Sequence, residues 1–268
     1  MEGTEVTAYY GEQRGTEDQV TNNEFVFVIP YFNCSEDIEK TVHSMLAQSY
    51  DRWSAILIND MSTDETQKTV FEILDSLPPR LRSKFKHVEN EEKHGEVRNT
   101  LKTVSSLEDS AVVCRLDGGD WLTENDLLKI LNDAVYQDPD VSVAWTAHRW
   151  SYTPHNISGP LNLRPDQTVY QHPWVSSHLK TFRCGELKKV PDANFRDSEG
   201  NYIMIACDQA VFLPMMHMCH GSGKKLQFVP IVGYHYNIDL SNKNLFSNER
   251  SIKQKMSAES IRARGFIS

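Results

Sequence analysis

A chain of 268 residues, 39% hydrophobic and 24% charged, can bury a sizeable core as one large domain or as a domain with an appended subdomain. Its formal net charge of -9 argues against bulk nucleic-acid binding, which relies on a positive surface that releases counterions. No apolar run approaches the ~18 residues of a membrane span and the first residues are acidic rather than signal-like, so a cytoplasmic setting is expected. Cys34, Cys114, Cys184, Cys207 and Cys219 form no C-x-x-C pair and are odd in number, which suits reduced thiols there.

Residues 1–23 lack apolar periodicity and read as a disordered or loosely attached tail. Phe25 to Ile29 is a continuous β-rich run stopped by Pro30, the pattern of a strand buried on both faces. Ser35 can cap a following helix with Ile38, Val42, Met45 and Leu46 as its apolar stripe. Trp53 to Ile58 is a second strand, and a polar loop from Asn59 to Asp64 leads to a helix that Pro78 and Pro79 end. Phe85 to Val88 is a third strand, Gly95 to Leu107 a helix, Ala111 to Leu116 a fourth strand, Asp126 to Tyr136 a helix and Val141 to Ala147 a strand. Strands alternating with helices predict right-handed βαβ units and a mainly parallel, Rossmann-like α/β sheet flanked by helices. Ligands bind such sheets beyond the carboxyl ends of the strands, where strand order reverses.

The pattern changes after Ala147. Arg149 to Val175 is rich in Pro, Asn and aromatics, and reads either as a hairpin or lid over the crevice or as a connection with its aromatics packed inward. Ser176 to Leu187 and Asp208 to Met218 read as helices and Gln227 to Val232 as a late strand. The last segment, Asn248 to Ile267, carries basic residues around a thin apolar stripe. It reads as a surface helix that leaves a peripheral membrane contact possible.

Candidate chemistry centres on Cys114 to Trp121, C-R-L-D-G-G-D-W, where Asp117 and Asp120 stand just beyond a buried strand. Unpaired carboxylates are expensive to desolvate, so a metal, a cation or water must satisfy them; a turn with Asp120 or Thr123 as a helix cap is the plainer alternative. His217, Cys219 and His220 have the spacing of half a metal site, but with no second pair nearby they read as a helix end before Gly221.

Four stretches in order, Pro30 to Asn33 (P-Y-F-N), Ile58 to Asp64 (I-N-D-M-S-T-D), Gly95 to Asn99 (G-E-V-R-N) and Leu116 to Trp121 (L-D-G-G-D-W), resemble the family-2 inverting glycosyltransferases of the GT-A fold. The likeness extends through Ser177 to Arg183, Cys207 to Gln209 and Tyr234 to Asn237. It implies a GT-A fold with a nucleotide-sugar-binding half over 24–147, an acceptor-binding half over 148–240 and a helical tail over 241–268. It implies that Pro30, Tyr31 and Asn33 line the nucleotide pocket, that Asp60 bonds the base, normally uracil, and that Arg98 faces the donor. Asp117 would lie near the ribose and a Mn²⁺ or Mg²⁺ ion, with Asp120 a further ligand and His235 or Asp239 a late one. Asp208 would be the catalytic base. The implied partners are a nucleotide-sugar donor and a glycan or other hydroxyl acceptor. Two positions depart from the family pattern: Gly119 stands where an acid usually ligates the metal, and Cys207 where a Glu usually precedes the base.

The residues themselves leave plainer roles open. Asp208 and Asp60 are each placed to cap a helix, and Arg98 to face solvent. Two other functions stay in view: a sugar-nucleotide- or glycan-binding protein of the same fold without turnover, and a nucleotidyltransferase. No Gly-rich, Lys-containing phosphate loop follows the first strand to support the second of these.

Overall fold

A computed structural model describes residues 21–151, 153, 156–237 and 248–268. The expected tail falls outside the described residues as far as residue 20. Its last part is attached: Thr21 exchanges hydrogen bonds with Gln137, and Asn23 is buried against Asn132.

In chain order the elements are β1 (Phe25–Tyr31), α1 (Ile38–Leu46), β2 (Trp53–Asn59), α2 (Thr66–Ser76), α3 (Pro79–Arg82), β3 (Phe85–Glu89), α4 (Gly95–Val104), β4 (Val112–Arg115), β5 (Trp121–Leu122), α5 (Leu127–Ala134), β6 (Val141–Trp150), β7 (Lys180–Arg183), α6 (Cys184–Lys188), a 3₁₀ turn (Asp192–Phe195), α7 (Cys207–Gly221), β8 (Lys225–Tyr236) and α8 (Asn248–Arg264). They build one eight-stranded sheet in the order β3-β2-β1-β4-β7-β6-β8-β5. The first four strands are parallel, β7 runs antiparallel to both β4 and β6, and β6 and β8 are again parallel.

The unbroken apolar run of β1 is explained by cover on both faces. Phe25, Phe27, Ile29 and Tyr31 pack into the layer that holds α1, α2 and α5, while Val26 and Val28 pack into the layer that holds α4, α6 and α7. Helix α7 is buried nearly all round, with eight residues from Ala210 to Cys219 in its core face, so an amphipathic stripe is missing from its sequence.

Two sequence expectations are corrected. Ser176 to Leu187 is not one helix: Lys180–Arg183 is a strand clamped between β4 and β6, and only Cys184–Lys188 is helical. Lys180 and Arg183 looked like the polar side of a helix, but Lys180 is 1% exposed and Arg183 bonds the carbonyl oxygens of Tyr136, Asp138 and Val141. Sheet neighbours on both sides satisfy the backbone there, which outweighs a weak local preference. Helix α1 begins at Ile38 with Asp37 at its cap position, and Ser35 instead lies in the preceding turn, where its N–H reaches Asp64.

The loops after β1, β2 and β4 meet at one sheet edge. Asp60 N–H donates to the Tyr31 carbonyl and Gly118 N–H to that of Pro30. Gly118 is required by this approach, since a Cβ there would lie 2.4 Å from the Tyr31 Cβ and 2.9 Å from its Cα. Gly118→Ala is therefore expected to cost about 1–3 kcal/mol in urea unfolding. Gly221→Ala, whose added methyl meets nothing within 4 Å, is the control; equal stability of the two variants would refute the close approach.

Candidate active site

The site is built around a buried guanidinium. Arg115, the last residue of β4, is 2% exposed; its Nη1 donates to the Val28 carbonyl (3.2 Å) and its Nη2 to Glu96 Oε1 (2.5 Å) and Asp117 Oδ1 (3.1 Å). Glu96 comes from the first turn of α4, so one cation ties β1, α4 and the β4 loop. Burial raises the Glu96 carboxyl to about 7, with Arg115 opposing it.

The loop after β4 divides its two acids. Asp117 is 36% exposed at the side chain and lines a cleft of about 720 Å³. Asp120 is 6% exposed and faces the other way: its Oδ2 accepts from Tyr234 O–H (2.5 Å) and its Oδ1 from Asn237 N–H (2.8 Å). Burial, then the nearby Asp117, pushes the Asp120 carboxyl well above the usual range, and its two hydrogen bonds brace the end of β8. Gly119 between them has φ +96°, its N–H donates to Thr41 Oγ1, and a Cβ there would come within 3.3 Å of the Cys34 Cβ. An acid at 119 would be strained in this loop, which is the local reason for the departure seen in sequence.

Asp208 lies in the first turn of α7, entered through Ala206 in the left-handed region at φ 57°. Its Oδ1 accepts from Lys180 Nζ. Burial alone would raise its pKa, but the charges of Lys180 and Arg115 and the Lys180 hydrogen bond outweigh burial and hold the carboxyl below its ordinary range. His178 is stacked between Tyr234 and Tyr236, with ring centroids 4.6 and 5.3 Å away. Burial keeps it neutral, reinforced by Lys180. Asp208 and His178 border a second lobe of about 410 Å³ as well as the cleft, so the two spaces meet at these side chains.

The other residues singled out in sequence fall elsewhere. Tyr31 is 2% exposed with its O–H 2.7 Å from His87 Nε2; Pro30 is partly buried; and Asn33, at φ 48°, bonds Ser62 and Thr63. Asp60 holds the start of α4, accepting from His94 N–H (2.8 Å), Gly95 N–H (3.0 Å) and Asn90 (2.9 Å). Those bonds outweigh its burial and lower its pKa. Arg98 pairs with Glu92 at 2.7 Å, whereas Lys93, not anticipated, lies over the Phe32 ring and bonds the Asp60 carbonyl. His235 stacks on Trp121 and both its ring nitrogens are engaged, by Arg149 and Ser151. Asp239 lies outside the described residues. His217 packs on Phe266 in a helix that ends at Gly221, as expected.

Arg115, Glu96 and Lys180 are the charged residues of the site to which the sequence reading gave no role. A signal existed for Arg115, since a guanidinium inside the run from Ala111 to Leu116 must be paired if the run is buried. Among the described residues no three His, Cys, Asp or Glu side chains are grouped to hold a metal ion, and no helix is long and apolar enough to cross a membrane.

Comparison with known proteins matches residues 26–178 to the family model described as glycosyl transferase family 2. A Bacillus subtilis (strain 168) protein assigned to teichuronic acid biosynthesis, the glycosyltransferase TuaG, is 45% identical over 40 residues, 15% of this chain and 16% of that protein. The mannosyltransferase PcManGT of Pyrobaculum calidifontis, solved with GDP-Man and Mn²⁺, superposes with a TM-score of 0.64 at 14% identity over 93% of this chain and 68% of that one. S. aureus TarS 1-349 with UDP-GlcNAc superposes with a TM-score of 0.54 at 14% identity over 81% of this chain and 59% of that one. At these identities the structures speak for the α/β GT-A fold, and the chain spans under two thirds of TuaG and of the TarS fragment.

The Lys180 ion pair is expected to show in stability. A depressed Asp208 pKa stabilises the fold above the ordinary carboxylate range, and that contribution is lost as pH falls through the folded value. In Lys180→Met burial dominates, so the variant should lose about 3–5 kcal/mol at neutral pH, and the deficit should narrow on acidification as Asp208 protonates. Urea unfolding at several pH values checks this; a deficit independent of pH would refute the pairing.

Proposed function

This chain belongs to glycosyltransferase family 2, and on that premise we propose that it moves a sugar from a UDP-sugar to an acceptor hydroxyl with inversion. The reading divides the chain into a nucleotide-sugar half over 24–147 and an acceptor half over 148–240, acting in the cytoplasm. One observation carries it: Asp208 stands where two lobes meet, one bordered by Asp117 and Glu96, the other by aromatic side chains.

In the proposed step the acceptor oxygen forms a bond to the anomeric carbon while the bond from that carbon to the phosphate oxygen breaks. The electron pair leaves with the nucleoside diphosphate, and the hydroxyl proton passes to Asp208. The Asp208 Oδ2 atom has no hydrogen bond among the described residues, so it is available for that proton while Lys180 anchors Oδ1. Pro30, Tyr31, Asn33, Asp60 and Arg98 serve the nucleotide side in this reading. Asp60 does so by fixing the start of α4, and Arg98 must leave Glu92 to reach the donor.

Three carboxyl groups, Glu96, Asp117 and Asp208, share the two buried cations Arg115 and Lys180, so a diphosphate arriving here needs added positive charge. Asp117 is the acid of its loop that opens on the cleft, and a hard cation is commonly held by one or two carboxylates plus substrate phosphates. It is the residue that would hold Mn²⁺ or Mg²⁺. Such an ion would neutralise charge on the leaving diphosphate. Asp120 and His235 are engaged by protein groups and add nothing to that case.

Asp208→Asn should abolish transfer while the affinity for the donor stays within about twofold, as read by nucleotide release and calorimetry; wild-type turnover by this variant would sink the assignment. Asp117→Asn should weaken Mn²⁺-dependent donor binding by tenfold or more, and EDTA should reproduce that loss in the wild type. EDTA-insensitive binding and transfer would remove the ion from the proposal. The Lys180 pair, which weakens Asp208 as a base, is the observation that favours a binding protein without turnover; that reading predicts donor binding with no UDP released on long incubation. Release of pyrophosphate instead of UDP would point to nucleotidyl transfer.

A further inference from the structure

The second lobe says what kind of acceptor fits. Its walls are Trp150, Trp174, Tyr236 and His148, with Ser177 and Gln209 as polar groups, and it opens onto Asp208 and His178. Lys and Arg are absent from its lining among the described residues. At about 410 Å³ it has the size of a small-ligand site.

These walls are built in advance. Trp145 Nε1–H donates to the Gly159 carbonyl, Gly159 N–H to that of Val175, and Asn156 Oδ1 accepts from both His148 N–H and Ser158 N–H, which folds the 156–175 segment back on β6. Beside them, His178 is 7% exposed, and among the described residues nothing hydrogen-bonds its ring nitrogens. Its nitrogens are not among the polar atoms sealed in the interior without a partner, so they stay open to the lobe, where a ligand hydroxyl can bond them.

From this we infer that the acceptor is a neutral saccharide, bound with the C–H face of a sugar ring against Trp174 and with its attacking hydroxyl between His178 and Asp208. A pyranose has an apolar C–H face and a rim of hydroxyls, which matches aromatic walls edged by Ser177, Gln209 and His178. Uronates and sugar phosphates match less well, because among the described residues the lining holds one carboxylate and no Lys or Arg to meet their charge. The inference rests on the glycosyl transfer proposed above.

The test uses the full chain with its donor and a set of acceptors: methyl glycosides of neutral hexoses, the matching uronosides and hexose 6-phosphates, and a serine peptide. Nucleotide release and product mass are measured. Neutral glycosides should be favoured at least tenfold in kcat/KM. Trp174→Ala should raise the acceptor KM tenfold or more while donor Kd stays within twofold. His178→Phe, which keeps the ring volume between Tyr234 and Tyr236, should lower transfer about a hundredfold with the thermal midpoint retained.

Better transfer to the uronosides, phosphates or peptide overturns this inference and leaves glycosyl transfer standing. So does an unchanged acceptor KM in Trp174→Ala, or wild-type transfer by a folded His178→Phe. A wild-type protein that neither binds nor cleaves any nucleotide sugar overturns both.

Discussion

The Arg115 guanidinium is the constraint on which the rest of the site depends. A fully desolvated cation must be met by anions and carbonyls, and it draws Glu96 from α4, Asp117 from its own loop and the Val28 carbonyl from β1 to one point. The crossover helix and the strand-end loop are thereby held in fixed relation at the edge of the cleft that Glu96 and Asp117 line. Removing one partner of such a cluster leaves an uncompensated buried charge, so its members are interdependent in a way that exposed pairs such as Arg98 with Glu92 are not.

A second pair, Lys180 with Asp208, repeats this logic on the other side of the cleft and gives β7 its importance. The strand sits in the middle of the sheet, where the parallel half ends and the mixed half begins, and delivers its ammonium under the first turn of α7. The carboxylate is thus held ionised and oriented at the boundary of two lobes. In the proposed transfer, its low basicity would suit a step in which the acceptor proton leaves late, after charge has moved onto the diphosphate.

Helix α8 braces the side of the cleft that carries α7. Its far end is pinned by Arg262 to the carbonyl oxygens of Tyr170 and His172, and Gln254 accepts from Ala206 N–H, next to the strained entry of α7. Of the basic residues that suggested a lipid or phosphate surface, two are tied to the protein backbone and two stay exposed on the surface. Arg262 and Arg264 bond carbonyls, Lys253 pairs with Glu249 and Lys255 with Glu259.

The strands and helices up to Ala147, apart from the short α3 and β5, were legible in the sequence because their signals are local: a buried run stopped by Pro30, apolar stripes at helical spacing, turn residues between them. So was the meeting of the loops after β1, β2 and β4, which follows from parallel topology. Lys180 to Arg183 was not legible, since four residues with two cations carry no strand period and owe their conformation to β4 and β6. The acids divide in the same way. Sequence alone marked Asp117, Asp120 and Asp208 as candidates, because carboxylates beyond buried strands and at helix starts demand partners. Only the tertiary structure decided that Asp117 faces the cleft while Asp120 is sealed under Tyr234 and Asn237. Which way a carboxylate points beyond two glycines is set by neighbours more than a hundred residues away, and no local pattern encodes it.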